Sequence, residues 1–337
     1  METTLQMDKT DIRENEILKR SPELLSLLLK DHTLSTEDQQ VNIFWATNNY
    51  AELGEGYQYS DQITVEAITG ENDGIIKPRA LKSRETQRER SREMAEVFTP
   101  SWICNKQCNL VDNAWFGREN VFNEEVDNAD GTHSWIPEKG KILFPEHKTW
   151  IDYVKSNRLE ITCGEAPYLV SRYDTVTGEA IPIELRIGLL DRKLRIVNEN
   201  TSTPEEWLRF ARLSFMATYG YEWQGDNILL AREALLYTYI DYYRERFGED
   251  PRTETLIDIA HIISWNIWQM DGLKSVIPLS CKNEKVVIKG LFGDEEKEVC
   301  CEGCKKKNMH KHNGTYCKIM DWEEGHPITF VSLIKKS

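Results

Sequence analysis

Two groups of side chains in this sequence have types and spacings suited to chemistry. The first is a thiol cluster, because five of the eight cysteines lie between Cys281 and Cys317. The N-terminal residues show no apolar leader core, so reduced thiols are expected, and reduced thiols clustered this way read as metal ligands. Cys301-Glu302-Gly303-Cys304 is a C-x2-C knuckle, a spacing that lets two thiolates meet one tetrahedral ion from a single turn. Cys317 and Cys281 complete a four-sulfur set for structural zinc, with Cys300, His310 and His312 as alternatives for the fourth ligand. Such an ion would let a polar segment hold a fold with little apolar burial.

The second group is a glycine turn and two acids, each placed just after a strand-like run. Leu159-Glu160-Ile161-Thr162 leads into Cys163-Gly164-Glu165-Ala166-Pro167, Ala217 to Trp223 ends near Glu222, and Asn266 to Met270 ends at Asp271. Ligands of open parallel sheets bind beyond the carboxyl ends of the strands. Gly164 would let the backbone approach a ligand, Glu222 could accept from two ribose hydroxyls, and Asp271 could accept from an exocyclic amine. Those roles describe an adenosine-like ligand.

The elements that must position these groups follow from the pattern around them. Helical spacing covers residues 8–31, with a start signal at Ser21-Pro22-Glu23, and strand-like runs follow at 41–50 and 61–70. A charged helix from Leu81 ends before Pro100, and a second helix covers Trp102 to Trp115. Helices are expected over Ile181 to Val197, Glu205 to Ala217, Asn227 to Phe247 and Thr255 to Ile263. Tyr168-Leu169-Val170 fits either a helix start or a continuing strand. Alternating strand and helix from 159 to 271 is the pattern of a parallel sheet with crossover helices.

In the same order, these segments resemble the motifs of DNA adenine-N6 methyltransferases of restriction–modification systems. Glu96-Val97-Phe98-Thr99-Pro100 looks like the element that borders the methionine end of S-adenosylmethionine, and residues 159–169 look like the glycine-rich first motif. Tyr219-Gly220-Tyr221-Glu222 with Ala231-Arg232-Glu233 is similar to the second motif, and 266–273 to the third. The resemblance implies an S-adenosylmethionine pocket of Phe98, Thr99, Pro100, Cys163, Gly164, Glu165, Glu222 and Asp271, with Glu222 on the ribose and Asp271 on the adenine. Ala166 stands where the family has its second glycine. The sequence has no Pro-Pro, so the family's tetrapeptide that orients a flipped adenine is absent and the catalytic residues are unidentified.

With 42 basic and 56 acidic residues the chain carries a formal charge of −14, which argues against coating nucleic acid by bulk electrostatics. A local basic run from Lys77 to Arg92 is the exception, and Lys82, Arg84, Arg88 and Arg92 are its candidate DNA contacts. No apolar run approaches the roughly 20 residues of a membrane helix, so no membrane partner and a cytoplasmic location are expected. No Gly-x-Ser-x-Gly, Walker-type or His-Glu-x2-His motif is present.

The expected architecture is therefore α/β. A Rossmann-like methyltransferase core over 93–277 follows an N-terminal α+β extension over 1–92 and precedes a Cys-rich zinc-knuckle-like segment over 278–337. The resemblance implies an S-adenosylmethionine-binding DNA methyltransferase-like subunit, partnered by DNA and by a second methylase, a specificity subunit or a nuclease. The alternative is a catalytically incomplete relative acting as a regulatory, decoy or assembly subunit.

Overall fold

The computed structural model of the chain describes residues 12–94, 99–290 and 293–335. Ser21-Pro22 splits the first apolar stretch into α1 (Glu14–Arg20) and α2 (Pro22–Leu29), with extended backbone at Ser21 and proline at the start of α2. Leu24, Leu25, Leu28 and Leu29 are fully buried. The two strand-like runs at 41–50 and 61–70 do not form regular strands. They make isolated bridges, Lys30 with Asn42 and Phe44 with Gln62, and Thr64 caps a short helix α3 (Val65–Ile68) by accepting from Ala67 N. That cap diverts the alternating pattern into a helical turn.

The basic helix α4 (Arg84–Met94) and α5 (Ser101–Phe116) follow, then an antiparallel hairpin of β1 (Asn123–Asp127) and β2 (His133–Pro137). Helix α6 (Trp150–Lys155) opens with a capping box between Thr149 and Asp152. The central unit comprises β3 (Arg158–Ile161), α7 (Leu189–Asn200), α8 (Pro204–Met216), β4 (Thr218–Glu222), α9 (Gly225–Phe247), α10 (Thr253–Asn266) and β5 (Ile267–Gln269). Its three strands form a parallel sheet in the order β3-β4-β5, with helices in both crossovers.

The helix expected over 181–197 begins only at Leu189, after a 3-10 turn at Ile183–Leu185. At Gly188 a Cβ would lie 2.4 Å from the Leu169 carbonyl oxygen, and Leu189 and Leu190 donate to the Tyr168 and Leu169 carbonyls. The chain is thus tied to 168–170, which is turn and not helix or strand.

The middle strand β4 is sandwiched between its neighbours, which close tightly on it at Gly220. A Cβ there would lie 3.1 Å from Cys163 Sγ and 3.2 Å from Ile267 Cδ1. Helix α9 is buried along most of its length, and the main hydrophobic cluster joins it to α1, α2, α8 and α10. Arg232 of α9 is itself buried and donates to the carbonyls of Leu28, Lys30, Ser264 and Ile267, tying α2, α10 and β5 together. Elsewhere in the core, Asp112 of α5 takes Arg192 of α7 at 2.7 Å and Tyr153 Oη at 3.0 Å, an ion pair closed off from solvent.

The C-terminal part adds a two-stranded ribbon of β6 (Glu284–Gly290) and β7 (Gly293–Val299), a short helix α11 (Glu302–Lys306), and a hairpin of β8 (Lys318–Asp321) and β9 (His326–Thr329). A second apolar cluster, including Tyr221, Trp268, Met270, Ile277, Cys317 and Ile319, joins the strand ends to this hairpin. The chain is a mixed α/β protein built on small sheets. Among the described residues, no helix is long and apolar enough to cross a membrane.

Candidate strand-end site and metal centre

At the carboxyl end of β3 the backbone turns through three left-handed residues, Thr162 at φ +51°, Gly164 at +52° and Ala166 at +61°. Ala166 holds a conformation that glycine adopts without strain. Cys163 N extends the ladder to the Tyr221 carbonyl at 2.8 Å. Gly164 N then donates to Glu222 Oε2 at 3.1 Å, so residues 58 positions apart in sequence meet across two strand ends. Trp223 N and Gln224 N donate to Oε1, at 2.8 and 3.4 Å. A carboxylate has about four acceptor directions, and the protein's own backbone uses three. Burial pushes the Glu222 carboxyl above its ordinary value despite those donors.

The remaining expected ligand contacts fall around this turn. The Thr99 carbonyl accepts from Thr175 Oγ1 at 3.1 Å, and Ser101 N donates to Asp174 at 2.8 Å, so Thr99 and Pro100 lie against the loop that follows the glycine turn. Phe98 lies outside the described residues. Glu165 faces inward: it is buried, with Arg79 N on one oxygen at 2.6 Å and Tyr173 Oη on the other at 2.7 Å. Cys163 is buried, and burial pushes its thiol well up, as it does the neighbouring Glu160 carboxyl. Asp271 follows β5 by two residues, next to Met270, whose N–H donates to the Glu222 carbonyl. Its Oδ1 accepts from Leu273 N, and its Oδ2 pairs with Lys274 Nζ at 2.9 Å. Strand ends, glycine turn and both acids are therefore one locus, with the acids largely engaged by the protein itself.

The basic helix divides into an inner and an outer face. Arg90 is buried and lies 2.9 Å from Asp226 in the first turn of α9, and Tyr50 Oη also donates to that carboxylate, at 2.9 Å. Lys82 corrects the sequence expectation. Its side chain is 8% exposed and its Nζ is 3.9 Å from the same buried Asp226, so its charge is directed into the protein and not toward a phosphate. Arg84, Arg88 and Arg92 are exposed and repeat at helical four-residue spacing.

The cysteines sort themselves by geometry. Cys281, Cys301, Cys304 and His312 present ligand atoms all within 4.8 Å of one another, an arrangement that could hold a metal ion. His312 Nδ1 is 3.5 Å from Cys281 Sγ and 3.6 Å from each of Cys301 Sγ and Cys304 Sγ. Zinc–sulfur bonds of about 2.3 Å and zinc–nitrogen bonds of about 2.0–2.1 Å at tetrahedral angles require a sulfur–nitrogen separation of about 3.5–3.6 Å. Cys304 N points at Cys301 Sγ from the helix start, at 3.5 Å. Burial opposes ionisation of Cys301, but the N–H groups of Asn313 and Cys304, with His312, outweigh it and hold the thiol below its ordinary value.

Cys317 is not in this group. It is fully buried in the second apolar cluster, 3.4 Å from the Gln269 carbonyl, and burial pushes its thiol well up. A hydrophobic environment claims it, and the fourth member of the group is His312. In the sequence His312 is one of three alternatives for that ligand, beside Cys300 and His310. The signal that favours it is Gly303, where a Cβ would lie 2.6 Å from His312 N and 2.7 Å from its ring. Cys300 is exposed, and His310 has a buried Nε2 without a hydrogen-bond partner.

Comparison of the chain with protein-family models, with curated proteins and with solved structures finds no match in any of the three.

Proposed function

We propose that this chain is an S-adenosylmethionine-binding subunit of the DNA adenine-N6 methyltransferase type, acting with a partner chain that supplies the acceptor-orienting loop. One observation carries the reading: the Gly164 turn, Glu222 and Asp271 share the carboxyl edge of a parallel sheet, with Gly164 N on Glu222 at 3.1 Å. A ligand entering there would take the last free acceptor direction of Glu222 for a ribose hydroxyl. It would displace Lys274 from Asp271 if an adenine amine is to reach that carboxylate. Thr99 and Pro100 lie against the loop that follows this turn, and the methionine end of the ligand would extend toward them. Zinc at the Cys3His group serves as a structural ion, and Arg84, Arg88 and Arg92 form the surface offered to DNA.

A second reading, an assembly subunit without methyl transfer, is favoured by a specific feature. Both acids are already bound by internal donors, and the sequence holds no Pro-Pro-aromatic element. Calorimetric titration with S-adenosylmethionine tests the proposal. Micromolar affinity in the wild type, reduced at least about tenfold in Glu222→Ala with the fold retained, is the expected result, a loss on the order of 1.4 kcal/mol. A folded wild-type protein that does not bind S-adenosylmethionine would overturn it and leave the assembly reading.

A further inference from the structure

The Cys3His group sits at a junction, and its position suggests what it controls. Cys281 precedes β6 by three residues and Cys301 follows β7 by two, so two ligands hold the two ends of the ribbon. At Glu284–Val287 and Glu296–Glu298 the ribbon is exposed on both faces, since alternate residues of a strand point to opposite sides. A two-stranded ribbon without a covering layer is marginal in water on its own. Its geometry must come from its base.

The same ligands reach the strand-end site through backbone bonds. Gly314, two residues beyond His312, packs so closely on Cys281 that a Cβ would lie 3.1 Å from Sγ and 3.0 Å from the Cys281 N. From there the chain runs along 275–277: Ile277 N donates to the Thr315 carbonyl at 2.8 Å and Cys317 N to the Ser275 carbonyl at 3.1 Å. Asp271 N donates to the Val276 carbonyl and Ser275 N to the Asp271 carbonyl, both at 2.8 Å, which closes the turn carrying Asp271 and Lys274.

We infer that Cys281, Cys301, Cys304 and His312 form a closed structural zinc centre that fixes two things at once, the base of the β6–β7 ribbon and the Asp271 turn. Four protein ligands at tetrahedral spacing leave no open position for water or substrate, which separates this site from catalytic zinc. An ion held by all four groups would join Cys281 at one end of the ribbon to Cys301 and Cys304 at the other and to His312, so metal binding and the packing of this base would be coupled. The centre stands on its donor set and does not depend on the identity of the strand-end ligand.

The test uses the full-length protein without S-adenosylmethionine, so its outcome is independent of the cofactor reading. Metal analysis should find one zinc per chain, and cobalt substitution should give the absorption of a tetrahedral thiolate site. Cys281→Ser and His312→Ala should lose the ion, Cys317→Ser should keep it, and His312→Cys should keep it with an all-sulfur cobalt spectrum. Removal of zinc by a chelator should speed amide exchange at Ser275, Ile277 and Cys317 on the order of tenfold or more, and leave Cys163 in the sheet unchanged. Zinc absent from the wild type, or lost in Cys317→Ser but retained in His312→Ala, would overturn the ligand assignment. Zinc present but removable without faster exchange over 275–317 would overturn the coupling to the Asp271 turn.

Discussion

Replacing Asp226 by alanine tests whether the basic helix is anchored to the fold. Asp226 is completely buried and lies 2.9 Å from Arg90 and 3.9 Å from Lys82, while Tyr50 Oη donates to it at 2.9 Å. Its removal leaves the Arg90 guanidinium, 2% exposed, without that carboxylate in a region closed to water. Breaking a buried pair from one side costs about 3–5 kcal/mol. A urea m-value near the upper end of the usual range, about 3 kcal/mol/M, turns this into a midpoint lowered by roughly 1–2 M.

The assay is urea unfolding followed by tryptophan fluorescence at neutral pH. The control is Arg88→Ala on the exposed face, expected to stay within about 0.5 kcal/mol of wild type. The pH dependence gives a second check. Burial works against ionisation of Asp226, but Arg90 and Lys82 outweigh it and hold the carboxyl below the usual 3.8. A carboxyl with a depressed folded value contributes its stability above the unfolded value and loses it as pH falls through the folded one. The gap between wild type and Asp226→Ala should therefore be full at neutral pH and close in acid below about pH 4. A cost under about 1 kcal/mol at neutral pH, or a cost that does not shrink in acid, would refute the anchoring argument.

Two further outcomes follow from the backbone. Thr162 is exposed and β-branched at φ +51°, where a side chain costs roughly 1–2 kcal/mol, so Thr162→Gly should raise unfolding stability by about 1 kcal/mol, and a loss would show that the Thr162 hydroxyl bond to Ile161 matters more. Gly303→Ala should abolish zinc retention in metal analysis because its Cβ would strike the His312 backbone, and normal stoichiometry in that variant would show that the loop has room to move.

Much of the central unit was legible because it rests on local signals. Strands ending at Glu222 and near Asp271, the glycine turn after β3, and helices starting at Thr203-Pro204 and after Pro100 all follow from alternation, capping residues and proline geometry acting over a few residues. The failures occurred where distant contacts overrode those signals. Residues 41–50 and 61–70 have strand composition but no long partner strand, and Thr64 capped a helical turn instead. The 181–197 stretch has helical periodicity, but backbone contact with Leu169 delays the helix to Leu189.

Within the candidate sites the division is similar. Sequence alone determined that thiols cluster near the C-terminus, that a C-x2-C knuckle is present, and that acids follow two strand-like runs, since residue type and spacing are properties of the chain. Tertiary structure decided which groups meet. It placed Cys317 in an apolar cluster and His312 among the sulfurs, turned Lys82 and Glu165 inward, and brought Gly164 to Glu222. The physical reason is that burial and partner choice depend on which remote segments pack together, and a buried charge or thiol is settled by the donors and acids that happen to surround it.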